Sequence, residues 1–361
     1  MSANLPHARL FVVALGWLAF APLAVADPAP FMMRAVVAGR LLEGQPLEWS
    51  PTRVLLLGRD GALHDFAAAE AKEAKRTADA FAPYTTLQMQ AQLREEFGAG
   101  WDATATAHFV VVHPAGPWSA WAERLEGLFG NFTRYMQVRG MRLSKPPAPL
   151  AAIVFRNQQQ YYQYAAASGS PLQPGTMGHY DPSTNRIYLF DAGRGGADWA
   201  STADTIIHEA THQAAFNTGV HTRFAEQPRW LVEGLAMMFE SPGVWNPGPT
   251  PQRVARINRE RLQRFRRTAE GRSPQWIAAL VASDTAFAGD VLTSYAEAWT
   301  LTFYLSETQP QLYSQYLQRA AARPLFGNYP TTERVGDFTR VFGGDWAQLA
   351  AALEQFVGEL P

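Results

Sequence analysis

The sequence predicts an α+β protein with a small mixed sheet and a mainly helical C-terminal part. Between residues 32 and 191, short runs of apolar and β-branched residues alternate with glycine, proline and polar residues, as strands and their turns do. From residue 201 onward, apolar residues recur at helical spacing in nearly every segment. The 361 residues, 47% of them hydrophobic, are enough for one large domain or two modest ones.

The first 26 residues have the pattern of a cleaved secretory signal peptide. His7 and Arg9 precede an apolar run over 10–24, which is followed by a small-x-small pattern that signal peptidases accept. A membrane anchor is the alternative, but the run is short for a span of about 20 residues and Pro22 interrupts it. We therefore expect cleavage, no stable membrane span afterwards, and a secreted or periplasmic protein.

Two regions are expected after the signal peptide: a small β-rich N-terminal region at residues 27–83 and a main domain at 84–361. In the main domain, glycines at 98 and 140 end two amphipathic helices, and a proline at 114 ends a strand. The strands expected in this domain are 108–113, 150–155 and 185–191, and the helices are 85–97, 118–139, 202–217, 227–241, 250–269, 288–307 and 346–357.

The composition excludes several classes of function. The 31 lysines and arginines balance 32 acidic residues, so the chain lacks the excess positive charge by which most nucleic-acid-binding proteins attract phosphates. We expect no nucleic-acid partner. The chain has no cysteine, which excludes disulfides, thiol nucleophiles and cysteine-ligated metals. Any metal ion must therefore be held by histidine, aspartate or glutamate.

A candidate metal site begins at residues 208–212. His208 and His212 are four residues apart in a segment with helical spacing, so both imidazoles project from one face of the helix. Two imidazoles at this spacing can bind one zinc ion. Glu209 lies one position further round the helix, where its carboxylate can reach a water molecule on the metal and act as general base.

The next predicted helix supplies a third ligand. A zinc site that performs hydrolysis needs three protein ligands and an open fourth position. Glu233 lies between Leu231 and Leu235, where an uncompensated carboxylate would be costly, so we predict that it binds the metal rather than only favouring the helix N-terminus. Glu240, seven positions further on, can accept a hydrogen bond from a ligand histidine. An ordinary exposed glutamate is the alternative for Glu240.

These residues resemble the gluzincin branch of zinc metallopeptidases, in which two histidines and a downstream glutamate hold the ion. Residues 85–307 are still more similar to the bacterial "domain of unknown function 1570" family within the same peptidase clan. The additional motif residues that carry this similarity are Gln213, Phe216, Asn217 and Gly219 after the ligand histidines, and Gly178, Tyr180, Pro182, Asn185 and Arg186 before them.

The resemblance implies a zincin-like metallopeptidase fold. It also implies that residues 185–191 form the edge strand with which zincins bind an extended peptide, a core strand being the alternative. Tyr295 resembles the tyrosine that stabilises the oxyanion in related aminopeptidases, although its apolar neighbours also fit a core tyrosine. His179 and His221 are further candidates for this donor. The exopeptidase motif of those aminopeptidases does not occur, so we do not infer aminopeptidase activity.

The sequence therefore predicts a zinc-dependent hydrolase of peptide (amide) bonds, with Zn²⁺ as cofactor. The expected partner is a peptide or protein substrate, and an amide of the cell envelope fits the same chemistry. The alternative is a non-catalytic zincin-fold binding or scaffold protein of the cell envelope. The presence of Glu209 argues against this alternative, because a purely structural metal site has no use for a base beside the metal.

Two other segments suggest surface roles. Residues Arg253–Arg272 contain eight arginines and two acids and are predicted to be largely helical. They form either a patch for an acidic substrate or envelope phosphate, or an ordinary solvated helix. The loop at 192–198 lacks the spacing of a nucleotide-binding signature and is expected to be a flexible rim.

Overall fold

The computed structural model describes residues 31–116, 118, 120–191, 203–248 and 252–361. The predicted signal peptide and the loop at 192–198 lie outside the described residues. The fold is mixed α+β, with 48% helix and 18% strand in two small sheets, which confirms the predicted class. Within the described ranges, no helix is both long enough and apolar enough to cross a membrane.

The first sheet is built entirely from antiparallel strand pairs. Its order across the sheet is β4-β3-β2-β1-β5. β3 is buried along its whole length, whereas β5 is exposed throughout and forms one edge. The cationic side chains of β5 are of the kind that protect an edge from pairing with other chains. The strands are β1 (Met32–Val37), β2 (Arg40–Trp49), β3 (Val54–Gly58), β4 (Leu63–Phe66) and β5 (Lys72–Ala78).

The second sheet is mixed, as predicted. Its strands are β6 (Trp101–Ala105), β7 (Phe109–Pro114), β8 (Leu150–Phe155), β9 (Gly178–Asp181) and β10 (Arg186–Phe190). The order is β6-β7-β8-β10-β9. β7, β8 and β10 are mutually parallel, and β6 and β9 are antiparallel to their neighbours at the two edges.

The edge position expected for residues 185–191 is wrong. β10 lies between β8 and β9, so both sides of its backbone are occupied by strand pairing. The preceding segment, β9, folds back on β10 through a tight turn in which Asn185 has a positive φ of 61°. β9 therefore forms the edge strand, and residues 185–191 are the core strand that was the alternative.

Twelve α-helices lie within the described residues: α1 (Thr86–Phe97), α2 (Ala120–Gln137), α3 (Gln158–Ala167), α4 (Ala203–Asn217), α5 (Arg229–Phe239), α6 (Pro242–Trp245), α7 (Arg259–Arg267), α8 (Trp276–Ala282), α9 (Val291–Thr308), α10 (Pro310–Ala321), α11 (Thr331–Phe342) and α12 (Trp346–Gly358). α1 begins with a capping box between Thr85 and Gln88, which fixes its first turn.

The continuous helix expected at 250–269 is also wrong. A short 3-10 turn at Arg253–Arg256 is separated from α7 by an extended residue, Ile257. The side chain of Asn258 then accepts a hydrogen bond from the backbone N–H of Arg261 and starts α7. An N-cap must have non-helical backbone angles, so the helix cannot run through this position.

The two faces of the second sheet pack against different helices. Alternate residues of its strands face opposite sides; Val111, Ala152 and Ile187 belong to the core that includes α2 and α4. On the other face, Val110, Ile153 and Tyr188 pack with residues of α1 and α3. This arrangement lays α4 alongside the β9–β10 hairpin at one end of the sheet.

Candidate metal centre

The imidazoles of His208 and His212 project from the same side of α4. Their Nε2 atoms are 3.0 Å apart. Ile206, Ile207 and Ala210 are buried and fix the orientation of α4 in the core. The two histidines themselves retain 18% and 12% exposure of their side chains. The helix therefore presents two nitrogen atoms to one accessible point.

Helix α5 brings Glu233 to the same point. Its Oε2 atom lies 3.3 Å from Nε2 of His208 and 3.9 Å from Nε2 of His212. The next residue, Gly234, allows this close placement, because a Cβ there would meet Thr302 Oγ1 at 2.2 Å and the Ala298 carbonyl oxygen at 2.7 Å on α9. A glycine after the glutamate thus lets α5 pack directly against α9.

The three donor atoms fit a zinc ion. They lie within 4.8 Å of one another, and in the described residues this is the group of histidines and acids that could hold a metal. Tetrahedral coordination with bonds of 2.0–2.2 Å requires donor separations of about 3.4 Å, close to the separations of 3.0, 3.3 and 3.9 Å found here. Two imidazoles and one carboxylate, all partly exposed, also leave room for a fourth ligand.

Glu240 is a hydrogen-bond partner of the first histidine. Its Oε1 atom accepts a hydrogen bond from Nδ1 of His208 over 2.8 Å, and its side chain is only 14% exposed. The alternative of an ordinary exposed glutamate is therefore excluded. Asn258 donates from Nδ2 to Oε2 of Glu240 over 2.7 Å. A carboxylate behind a ligand histidine fixes the ring and its tautomer.

The charges of this cluster favour a cation at its centre. Burial opposes protonation of His208, but its hydrogen bonds to Glu233 and Glu240 outweigh burial and hold the pKa of His208 well above its usual value. Burial and the neighbouring His208 charge lower the pKa of His212 to about 4. Burial opposes ionisation of Glu233, but His208, His212 and Arg229 lower its pKa to about 2. The acids thus stabilise positive charge where a metal would bind.

Glu209 is held beside the cluster by the edge strand. Its Oε2 atom accepts a hydrogen bond from the backbone N–H of Tyr180, at 2.7 Å, on β9. Burial raises the pKa of Glu209 to about 7, although the positive charge of His208 and the Tyr180 hydrogen bond oppose this shift. A carboxylate with this pKa can both accept and return a proton near neutral pH.

Several other motif residues join the edge hairpin to α4, the helix that carries His208 and His212. Asn185 and Asn217 exchange two side-chain hydrogen bonds, of 2.9 and 2.7 Å. The hydroxyl of Tyr180 donates to Asn185 Oδ1, and Gln213 donates to the backbone carbonyls of Asn185 and Ala151. All of these amides are buried. Their role is to position β9, and with it the Tyr180 N–H, against Glu209.

Tyr295 lies near Glu233 but is separated from it by an arginine. Its hydroxyl accepts a hydrogen bond from Nη2 of Arg229 over 3.1 Å, and Nε of Arg229 lies 4.0 Å from Oε1 of Glu233. Tyr295 is partly buried and packs against Phe287. The structure therefore brings Tyr295 to the margin of the cluster.

His179 and His221 are not among the converging donors. His179 lies on β9 and bonds through Nδ1 to the Tyr161 hydroxyl, on the sheet face that packs with α1 and α3. His221 is buried beside Phe216, and burial lowers its pKa to about 3. Neither histidine belongs to the group formed by His208, His212 and Glu233, and a role of either as oxyanion donor stays a prediction.

The arginines of Arg253–Arg272 are mostly structural. Arg256 and Arg264 form ion pairs with Glu307 and Asp290 at 2.5 and 2.6 Å. Arg272 pairs with Glu297, and Arg266 donates to two carbonyls at the C-terminus of the chain. Neither expected role, an anion patch or a solvated helix, accounts for these four arginines. These side chains attach α7 and its neighbours to the rest of the helical part.

Two residues near the cluster were not anticipated. Asn258 precedes a helical segment and could have been identified as its N-cap, but its bond to Glu240 depends on where α7 packs. Arg229 lies one turn before Glu233 on α5, a spacing that can be taken from the sequence. Its contacts with Phe287 and Tyr295 involve segments far along the chain.

The comparison with protein families supports the similarity that the motifs indicate. Residues 202–326 match the family described as "Protein of unknown function (DUF1570)". The matched segment contains His208, Glu209, His212, Glu233 and Tyr295. No curated protein matches the chain.

Proposed function

We propose that this protein is a zinc-dependent hydrolase of peptide (amide) bonds. His208, His212 and Glu233 would hold the ion, and Glu209 would act as general base. The observation that carries the proposal is the convergence of three donor atoms within 4.8 Å, next to a carboxylate whose pKa is about 7. A structural metal site has no need of such a base and usually fills its fourth position with protein.

The arrangement around the site is consistent with a zincin-like fold of the gluzincin type. A mixed sheet ends in an antiparallel edge strand beside the helix that carries both histidines, and a second helix carries the glutamate. In this proposal β9, rather than residues 185–191, is the edge strand that binds an extended peptide. Its outward backbone groups can pair with an extended substrate, apart from the Tyr180 N–H, which already binds Glu209.

Bound zinc would supply Lewis-acid chemistry, polarising the substrate carbonyl and lowering the pKa of water. Glu209 would remove a proton from the attacking water and later deliver it to the leaving nitrogen. Its bond to the Tyr180 N–H keeps the carboxylate in place during both transfers. Glu240 and Asn258 would hold His208 in orientation, and the Tyr295 hydroxyl is the candidate donor to the oxyanion.

The partners and location follow from the same proposal. The substrate would be a peptide or protein, or an amide of the cell envelope, and the protein would act in the periplasm or outside the cell. A non-catalytic scaffold of the zincin fold is the second candidate. It is favoured only by the family description, which assigns no function.

A Glu209→Gln variant tests the proposal. The amide keeps the size of the side chain but cannot accept a proton, so hydrolysis of a mixed peptide library should fall at least about a hundredfold, with bound zinc unchanged. Product analysis by mass spectrometry provides the measurement, and Glu95→Gln on the exposed side of α1 is a matched control. Undiminished hydrolysis by the Glu209 variant, or none by the unmodified protein on peptides and cell-wall fragments, would reject the enzyme proposal.

A further inference from the structure

A cavity of about 380 Å³ adjoins the candidate metal centre. Phe216, Val232 and the turn after β9 form part of its wall, and Glu233 lies at its border. A substrate placed on the metal would therefore lie beside this cavity. The charged residues of its wall should decide which groups are accepted.

Two arginines line the cavity, and they differ in their surroundings. Arg223 donates from Nη1 to the Pro182 carbonyl over 3.0 Å, and the nearby Asp60 and Asp181 offset part of its charge. Arg229 has a side chain that is 43% exposed, and among the described residues that side chain makes one hydrogen bond, to the Tyr295 hydroxyl. Within the described part of the chain, Nη2 of Arg223 has no hydrogen-bond partner either, but it is buried. Arg229 is thus the more exposed of the two arginines, and its unused donors are accessible to a ligand.

The guanidinium of Arg229 is held in place by aromatic rings. It lies 4.8 Å from the centre of the Phe287 ring and 5.7 Å from that of Tyr295. Stacking of this kind restrains arginine while leaving its outer N–H groups available. The hydroxyl of Tyr295 holds one end of the guanidinium by accepting a hydrogen bond from Nη2. A positioned guanidinium loses little further entropy when it binds a planar anion.

The acid paired with the guanidinium of Arg229 is Glu233, whose Oε1 lies 4.0 Å from Nε, whereas Asp284 accepts a hydrogen bond from the backbone N–H of Arg229 over 2.9 Å. Oε2 of the same carboxylate faces the two histidines. When Glu233 shares its charge with a divalent cation, it compensates Arg229 less. The cavity then presents a positive guanidinium beside the metal.

We infer that Arg229 binds a carboxylate of the substrate, so that the enzyme selects peptides carrying a negative charge close to the bond that is cleaved. The carboxylate is supplied either by an acidic side chain or by the C-terminus of the peptide. A planar carboxylate matches the two-pronged donor geometry of arginine. This inference rests on the proposed hydrolase function and adds its substrate class.

The test measures binding rather than turnover. Zinc-loaded protein carrying Glu209→Gln is titrated by calorimetry with two sets of hexapeptides. One set differs only in a free or amidated C-terminus, and the other differs only in glutamate or glutamine at each position in turn. The set that shows a difference identifies the source of the carboxylate.

The charged member of a pair should bind about tenfold more tightly than its neutral counterpart. Adding Arg229→Gln should abolish this difference while leaving the neutral peptides bound, and Arg229→Lys should retain part of it. Tyr295→Phe should weaken the preference by removing one restraint on the fork. Arg267→Gln, at an exposed position on α7, serves as the matched control and should change nothing.

Equal binding of charged and neutral peptides would overturn the inference, as would failure of every peptide to bind, or a preference that survives in the Arg229→Gln variant. These outcomes are separable from those of the hydrolysis test. A protein that cleaves peptides without charge preference keeps the proposed function and loses this inference. A protein that binds carboxylates through Arg229 but cleaves nothing keeps this inference and loses the proposed function.

Discussion

Two cavities of this molecule differ in what their charged side chains bind. The larger, of about 740 Å³, lies between the first sheet, α1, α3 and the β9–β10 hairpin. Two of its arginines pair with acids: Arg186 bonds to Glu96 at 2.6 Å, and Arg59 bonds to Glu43 at 3.2 Å. At the smaller cavity, Glu233 converges with two histidines, and the exposed side chain of Arg229 makes one hydrogen bond, to Tyr295. Chemistry is therefore expected where charged groups converge on one accessible point, although the cavity there is smaller.

At the smaller cavity, the largest effect that we expect is the dependence of hydrolysis on pH. Because burial holds the pKa of Glu209 at about 7, and the base works only when ionised, hydrolysis should increase with pH. A pKa of about 7 would increase the ionised fraction about ninetyfold between pH 5 and pH 8, and the charge of bound zinc would move this rise to lower pH. Measuring kcat/KM in excess zinc across this interval tests the effect. A flat profile would show that Glu209 is not the titrating base.

Loss of the hydrogen bond that Glu240 makes with the candidate ligand His208 should have a somewhat smaller effect. Glu240→Gln removes the charge that accepts from Nδ1 of His208, and zinc affinity should fall about tenfold to a hundredfold. Titration against a competing chelator measures this affinity. Glu260→Gln is the matched control, since the Glu260 side chain is 80% exposed. Equal affinities for the two variants would mean that Glu240 does not support the site.

Removing one of the buried amides that join the β9–β10 hairpin to α4 should mainly affect stability. Asn217→Ala leaves Asn185 without two buried hydrogen bonds, and the free energy of unfolding should fall by about 1–3 kcal/mol. Activity should also fall, because β9 then positions Glu209 less well. Denaturant unfolding and kcat provide the measurements. Asn157→Ala, which removes only the cap of α3, should cost about 1 kcal/mol and spare activity; similar kcat losses in both would contradict this role.

A substitution in the larger cavity should have the smallest effect on the candidate metal centre. Glu96→Gln weakens the pair with Arg186, which keeps Asp60 at 3.9 Å. We expect a loss of about 1 kcal/mol in the free energy of unfolding, with zinc content and hydrolysis unchanged. Thermal unfolding and metal analysis test this. A clear loss of hydrolysis would show that the larger cavity also takes part in the reaction.

The candidate ligands could be predicted because their relation is local. The spacing of His208 and His212 places them on the same face of any helix. Glu233 could be chosen because its carboxylate lies between apolar residues in the sequence. The class of fold followed from periodicity in the same way. After residue 201, the positions of α4, α5, α9 and α12 were predicted, whereas α6, α8, α10 and α11 were not.

The features that were missed depend on pairing between distant segments. Nothing within 185–191 shows that the short polar segment at 178–181 will occupy the edge beside it. The expected helix at 250–269 was interrupted because Asn258 caps α7 and binds Glu240. Arg229 gains its significance from Phe287 and Tyr295, which approach it only after the helices have packed.

Metal analysis is the most direct test of the central claim that the convergence of His208, His212 and Glu233 forms a zinc site. Purified protein and a His208→Ala variant are compared by inductively coupled plasma mass spectrometry, with His108→Ala as control because His108 lies outside this group. We predict about one zinc per chain in the unmodified protein and in the control, and loss of that zinc in the His208 variant. No zinc in the unmodified protein, even after addition of the metal, would contradict the account.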